Sequence, residues 1–469
     1  MGNVQARNSQ AGATDAYRRV PYPLGVHRQT HPDRLATVAR LAGLSPPPIE
    51  TARVLEIGAG NAFNTLAMAA AWPDARFTAI DIDPDAVAVG RGWAAESGLG
   101  NVEVACVDLC DPHGLASEYD YVIAHGVYAW VPPVVADALM ALAGRVLAPH
   151  GVAFVSYNAL PGGYVRRALR DRALRASAGA RDDAERLARG RAALTRVDPD
   201  SPVSIVAAFR DQAAQTLDRP DNVLIHDEMG SVFEPAYLED FAGHAGRHGL
   251  AFLGDAAVGR IADAFVADGG ALAAAVEADW RDVRMFRQTL LVRAGHVSGE
   301  ADLAGLRMLH LACDAQEGEE GVFAVERAQV EIGDPALRDV LRAAIAAWPA
   351  RLAVAGLKLD HPRLAALVRL FDTGVIELHA TAAPFATRVG DAPVASALAR
   401  LAIAQGLPFV PTLDGRGMTL TAEAAAVVAA CDGGEPARLA EAGRAAGLAT
   451  PDALADGLQA LARQALFLP

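Results

Sequence analysis

A chain of 469 residues, 52% apolar, 21% charged and 6% aromatic, has material for about three domains and is too apolar to be disordered. Lys and Arg total 42 against 56 Asp and Glu, a net charge of -14, the wrong sign for affinity built on phosphate neutralisation, so nucleic acid is not the expected partner. Four scattered cysteines, Cys106, Cys110, Cys313 and Cys431, exclude a disulfide framework and a four-thiolate zinc site, and no metal ligand set is assigned.

The first residues, MGNVQARNSQAGATD, contain no apolar signal region, and no stretch approaches about 18 uncharged apolar residues. A cytoplasmic protein without a membrane span is expected. Residues 1–16 read as a polar arm, and a helical pattern at Leu35, Val38, Ala39 and Leu41 follows, so 1–50 is taken as arm and covering helix. From Thr51, ARVLEIG, RFTAID, VEVACVD and YDYVIA alternate with NTLAMAAAW and PDAVAVGRGWAAESG, and GVAFVSYN at 151–158 adds another strand after a helix. Strands alternating with helices imply an α/β fold, Rossmann-like and mostly parallel, over 51–165. Residues 165–218 read as charged helices inserted after the core, followed by a short strand at VLIH, a helix, a strand near AFLGDA and another at FRQTLLV. Region 166–300 therefore holds the insert and a middle α+β domain, 301–390 a connecting α/β region, and 391–469 a mainly helical, winged-helix-like module.

The chemistry concentrates in VLEIGAGNAFN. A buried strand runs into Gly58-Ala59-Gly60 and then into a helix, so the glycines allow a sharp turn and close approach of a nucleotide-like ligand. A dinucleotide fingerprint would need a third glycine where Phe63 stands, which leaves NAD poorly supported; Phe63 is read as turning into the core. Glu56, just before the turn, repels phosphates and suits an ammonium, which points to S-adenosylmethionine. Asp81, 23 residues after Gly58, can accept from ribose hydroxyls, and Asp108 from the adenine amino group, with the Leu109 backbone N–H beside the ring. Asp83 before Pro84 reads as a helix cap.

These residues resemble the class I S-adenosylmethionine-dependent methyltransferases. YRRVPYPLGVHRQTHPDRLATVARLAGL, HGVYAWVP at 125–132, SYNALPGG at 156–163 and FEPAYLEDFAGHAGRHGLAFLGDA at 233–256 look like those methyltransferases that carry a methyltransferase regulatory domain, among them the bacterial outer-membrane-protein lysine methyltransferases. The resemblance implies a seven-stranded sheet, a regulatory region within 166–300, and S-adenosylmethionine as cofactor. It places cofactor contacts on Glu56, Gly58, Gly60, Asn64, Asp81, Ile82, Asp108 and Leu109, with His125 and Gly126 facing the methyl group. The family's small loop residues are replaced here by Asn61, Ala62 and Phe63.

For lysine as acceptor, the expected catalytic group is His125 as proton acceptor, with Tyr157 and Asn158 orienting the amine. Tyr128, Trp130, Tyr22 and His31 are candidates to line the substrate space, since aromatics hold a lysine stem. Tyr128 and Trp130 read equally as a packed helix start, and His31 before Pro32 as a helix cap. The expected partner is a protein or peptide substrate. The C-terminal module contacts a partner protein, assists a homodimer or shields the sheet. A small-metabolite or peptide-natural-product methyltransferase, and a catalytically weak sensing or scaffold protein, are the alternatives.

Overall fold

The computed structural model describes residues 19–196, 203–257, 270–296, 303–319, 321–326, 328–390 and 392–469; the polar arm expected at 1–16 lies outside them. Helix α1 (Pro32–Leu41) starts at the His31 cap, where Pro32 costs no hydrogen bond. Strand β1 (Arg53–Ile57) buries Val54 and Leu55 on opposite faces, the pattern of a strand covered on both sides. Helix α2 (Phe63–Ala71), β2 (Arg76–Asp81), α3 (Pro84–Glu96), β3 (Val102–Cys106), β4 (Tyr119–Ala124), α4 (Pro133–Val146) and β5 (Leu147–Asn158) follow. Asp83 caps α3 by accepting from the Asp85 N–H at 3.0 Å. The strand expected at 151–158 begins earlier, at Leu147, because Tyr119 already pairs with Leu147 before an irregularity in the ladder resets the register at Tyr121 and Val152.

The sheet does not close at residue 165. Helices α5 (Gly163–Ala176), α6 (Asp183–Thr195) and α7 (Ser204–Leu217) stand apart, but α8 (Leu238–Arg247) leads into β6 (Leu250–Asp255), and α9 (Ala271–Asp282) into β7 (Phe286–Arg293). Strand β7 pairs antiparallel with both β5 and β6, giving seven strands in the order β3-β2-β1-β4-β5-β7-β6. The mostly parallel seven-stranded sheet is thus present, and the boundary is corrected: the strands of 166–300 belong to the core sheet rather than to a separate domain. VLIH, expected as a strand, forms a π-helical turn over Leu224–Glu228, with the Met229 N–H reaching back to the Leu224 carbonyl at 3.1 Å.

Two small antiparallel sheets follow, one of His310–Ala312, Leu352–Ala353 and Glu377–His379, the other of Gln316–Glu317, Val322–Val325 and Ala328–Glu331. Helix α1 lies between this region and the main sheet, so Leu35, Val38 and Leu41 share one core with Val54 and Phe154 on one side and Leu311 and Phe371 on the other. Burial alone would disfavour the Asp33 carboxylate, yet His379 at 2.6 Å and Arg351 hold it well below the usual carboxylate range. Helices Ala397–Ala404, Ala422–Ala430, Pro436–Ala445 and Pro451–Ala462 with a short ribbon, Val410–Pro411 and Gly417–Met418, close the chain.

Phe63 opens α2 at 1% exposure, edge-on to Trp93 and Phe409 with centroids 5.4 and 5.8 Å away. It joins the C-terminal helices to the core instead of crowding the turn. Phe63→Ala is expected to destabilise the fold by about 3–5 kcal/mol, the cost of truncating a fully packed phenylalanine, as read by denaturant unfolding.

Candidate active site

Parallel strands β1, β2, β3 and β4 end on the same edge of the sheet, and that edge carries the cofactor candidates. After β1 the chain turns through Gly58 (φ +69°) and Gly60 (φ +54°), and after β4 through Gly126 (φ +67°). A Cβ on Gly58 would strike Val127, whereas nothing stands within 4 Å of where a Cβ on Gly60 or Gly126 would be. An open cradle therefore lies over these two backbones. Asp81 Oδ2 accepts from the Gly60 N–H at 2.7 Å and Oδ1 from the Asp83 N–H at 3.0 Å, which fixes the loop and leaves carboxylate lone pairs for hydroxyl donors. Burial pushes the Asp81 carboxyl up, and the backbone N–H bonds oppose that shift. Ile82 is exposed beside it, and Asp108 and Leu109 are half-buried, with Asp108 Oδ1 accepting from the Cys110 N–H at 2.9 Å. Acids for ribose and base, an apolar side chain and two bare glycines form a set that fits S-adenosylmethionine.

Two expected cofactor contacts are already engaged within the protein. Glu56 is buried, with one oxygen accepting from Asn64 Nδ2 at 2.8 Å and the other from the Thr65 hydroxyl. Asn64 also donates to Thr30 Oγ1 at 3.0 Å and accepts from the His27 N–H at 2.8 Å. Both side chains are internal braces that tie the N-terminal segment to the turn, because a buried carboxylate must be hydrogen-bonded where it stands.

That segment places His27 over His125, centroids 4.3 Å apart. His125 Nδ1 meets Ser156 Oγ at 2.8 Å, and the same oxygen accepts from the Gly126 N–H at 2.9 Å. With Phe154 and Phe286 also against the ring, burial and then the nearby His27 push the His125 pKa down to about 3. The expected proton acceptor is thereby corrected to a neutral, weakly basic imidazole.

The pleat divides the other catalytic candidates. Ser156 and Asn158 share the His125 face, while Tyr157 points to the opposite face, stacked on Phe241 at 4.2 Å. Tyr157 is therefore a core residue. Asn158 Oδ1 is buried and has no hydrogen-bond partner among the described residues, and the same holds for Gln288 Oε1. Gln288 pairs with Ser156, and Phe286 with Asn158, so both amide oxygens lie on one face of adjacent strands. Gln288 had no local signal in the sequence; Ser156 was within reach of the period-two rule.

Of the substrate-lining candidates, Tyr128 and His31 are corrected to packing and capping roles, and Trp130 and Tyr22 have protein contacts of their own. Tyr128 is buried edge-on to Phe241 and Tyr157, its hydroxyl 2.8 Å from His244 Nδ1, which makes it the packed helix start. Trp130 sits under the guanidinium groups of Arg166 and Arg170. Exposed Tyr22 reaches Asp227 at 3.3 Å. His31 caps α1 through Nδ1, and its other nitrogen accepts from the Trp72 indole at 3.4 Å, so the ring has no free polar edge.

Residues 54–151 match the family model of a methyltransferase domain, and 220–293 that of a predicted methyltransferase regulatory domain. The uncharacterized protein RP028 of Rickettsia prowazekii is 28% identical over 229 residues, 48% of this chain and 92% of its own. RP789 of the same organism is 29% identical over 242 residues, 51% of this chain and 44% of its own. The structure of PKMT2 from Rickettsia typhi matches with a TM-score of 0.80 at 18% identity, covering 96% of this chain and 100% of that one; its complex with AdoHcy gives 0.79 at 19%. Fold and site together define a class I methyltransferase that uses S-adenosylmethionine. The chain joins that methyltransferase domain to a methyltransferase regulatory domain, and the matched regulatory segment contains β6 and β7, two strands of the catalytic sheet.

His31, lowered to about 4 by burial, and His125, lowered to about 3, stay neutral when folded, whereas an unfolded histidine takes a proton near pH 6.5. Between about pH 6.5 and 4 the unfolded chain binds more protons, so stability should fall as the pH falls through that window, read as a declining melting temperature. Asn64→Ala strands the Glu56 carboxylate and frees the His27 backbone. It should cost about 1–3 kcal/mol and speed proteolysis of residues 19–31.

Proposed function

We propose that the protein is a protein lysine N-methyltransferase acting in the cytoplasm. The observation that carries this reading is the pair of unpartnered amide oxygens, Asn158 Oδ1 and Gln288 Oε1, on the His125 face. A neutral primary amine has two N–H donors and one lone pair, so two acceptors can hold both hydrogens and leave the lone pair free to attack. A hydroxyl acceptor, with one hydrogen, would leave one of those oxygens unsatisfied. The resemblance in sequence to lysine methyltransferases and the fold shared with PKMT2 support the reading, as does the net charge of -14, which suits Lys-bearing segments. The C-terminal helices and their ribbon we read as a winged-helix-like module for protein contact.

Gly58, Gly60, Gly126, Asp81, Ile82, Asp108 and Leu109 would hold the cofactor. When bound, S-adenosylmethionine supplies an electrophilic methyl group on a sulfonium. His125 does not act as base: a group with so low a pKa cannot hold a proton taken from an ammonium whose ordinary pKa is about 10.4. The lysine instead loses its proton to water as it leaves solvent, because an apolar wall of Phe154 and Phe286 disfavours the charged form. Ser156 holds the His125 ring, the paired amides orient the nitrogen, and alignment provides much of the rate.

Transfer of labelled methyl from S-adenosylmethionine into cell lysate is the test. Label is expected on lysine in protein, reduced about 100-fold in Asn158→Ala with cofactor-induced thermal shift retained, as for a misaligned nucleophile. Asp81→Ala should lose both shift and transfer. Label confined to small molecules would replace the lysine reading with a metabolite acceptor, and cofactor binding with no transfer at all would leave a sensing or scaffold role.

A further inference from the structure

On the face of the sheet opposite His125, the last turn of α8 and the first turns of α4 bring together a second cluster that the methyl-transfer site does not use. His244 Nε2 and His248 Nε2 lie 2.9 and 2.8 Å from the same oxygen, Oδ1 of Asp137, and the three donor atoms all fall within 4.8 Å of one another. We propose that Asp137, His244 and His248 bind one divalent transition-metal ion of the zinc kind, pinning α8 to α4.

The donor set favours this class of ion. Two imidazole nitrogens and one carboxylate oxygen suit zinc and its neighbours, whereas magnesium and calcium take oxygen ligands. Bonds of about 2.0–2.1 Å in a tetrahedron put ligand atoms about 3.3 Å apart, so each nitrogen needs to draw back from Asp137 Oδ1 by only about half an ångström, and the two nitrogens, within 4.8 Å of each other, are in reach of a shared ion. His244 and His248 are one helical turn apart and project from one side of α8. They stand at its C-terminal end, where the helix dipole favours a cation. The Asp137 side chain is 54% exposed, which leaves the fourth position to water.

Behind the cluster, the Tyr128 hydroxyl sits 2.8 Å from His244 Nδ1. This is the outer hydrogen bond that fixes a metal-bound histidine: with the ring proton on Nδ1 donated to the phenol oxygen, Nε2 presents its lone pair outward. Tyr128 is itself packed edge-on against the stacked rings of Tyr157 and Phe241, so the orientation of the ring is set by the core. In the absence of metal, Nε2–H groups donate to Asp137, and an ion takes the place of those protons. Helix α4 lies in the segment matched by the methyltransferase domain and α8 in that matched by the regulatory domain, so the ion would clamp one to the other.

The test is titration of the chelator-treated full chain with Zn2+ alone, followed by calorimetry and thermal unfolding, and with Co2+, followed by visible absorption. One ion per chain, a raised melting temperature and tetrahedral cobalt bands are expected. Asp137→Asn and His248→Ala, both at solvent-accessible positions, should abolish all three signals, while Tyr128→Phe, which keeps the ring, should weaken binding about 10-fold. His296→Ala, at a histidine outside the cluster, should leave them intact. Absence of stoichiometric binding to the native chain, or binding unchanged in Asp137→Asn and His248→Ala, would overturn the proposal.

Discussion

A buried carboxylate must find hydrogen-bond donors or give up its charge, and Glu56 sets the layout of the active site through that requirement. Burial pushes its pKa up, and Thr65 and Asn64 oppose the shift by hydrogen-bonding the carboxylate. Satisfying Glu56 fixes the first turn of α2, and the remaining polar atoms of Asn64 then capture Thr30 and the His27 backbone. From that one anchor the N-terminal segment is laid across the strand ends, with His27 against His125. The residue that charge logic would send to the cofactor's ammonium instead organises the wall that faces it.

Much of the cofactor edge was legible because it is local. A buried strand, a glycine turn and a helix start occupy consecutive residues, and acids at successive strand ends are set by the length of a βαβ unit. The acceptor side was less legible because it depends on the pleat and on a distant strand. Residues 156–158 were visible as a strand end, yet which of them faces His125 depends on register, and the alternation selects Ser156 and Asn158 while sending Tyr157 into the opposite core. Gln288 stands beside Ser156 only because β7 inserts between β5 and β6, a pairing that no spacing of the chain announces. The same limit hid Asp137, which is 107 residues from His244, although the His-x3-His spacing could be read directly.

The regulatory segment gains a physical meaning from this topology. A module appended to a finished sheet could act on the site only at a distance, but here β7 is hydrogen-bonded along β5 and contributes Phe286 and Gln288 to the His125 face. On the other face, α8 supplies Phe241, which stacks on Tyr157, and the histidines that reach Asp137. A shift of this segment relative to α4 would move β7 with it, since β6, β7 and α8 pack as one unit, and would change the distance between the two amide oxygens and the cofactor edge.

Two separate anchors therefore hold the two walls of the site. The donor wall, at the β1 and β4 turns, is braced by Glu56 and Asn64 from within the sheet. The acceptor wall, on β5 and β7, is braced from behind by the Arg287 guanidinium, which is almost fully buried and bonded to Asp279 at 2.7 Å and Asp255 at 3.3 Å. Those partners lie on α9 and β6, so breaking either leaves a buried charge uncompensated, a more severe loss than that of an exposed ion pair. Methyl transfer depends on alignment over fractions of an ångström, and a fold that spends buried charges on both walls gains fixed geometry rather than net stability. The cofactor edge and the face that carries Asn158 and Gln288 thus hold their positions independently, and the segment that joins the two sets of anchors, α8 with its histidines, is where their relative position can be tuned.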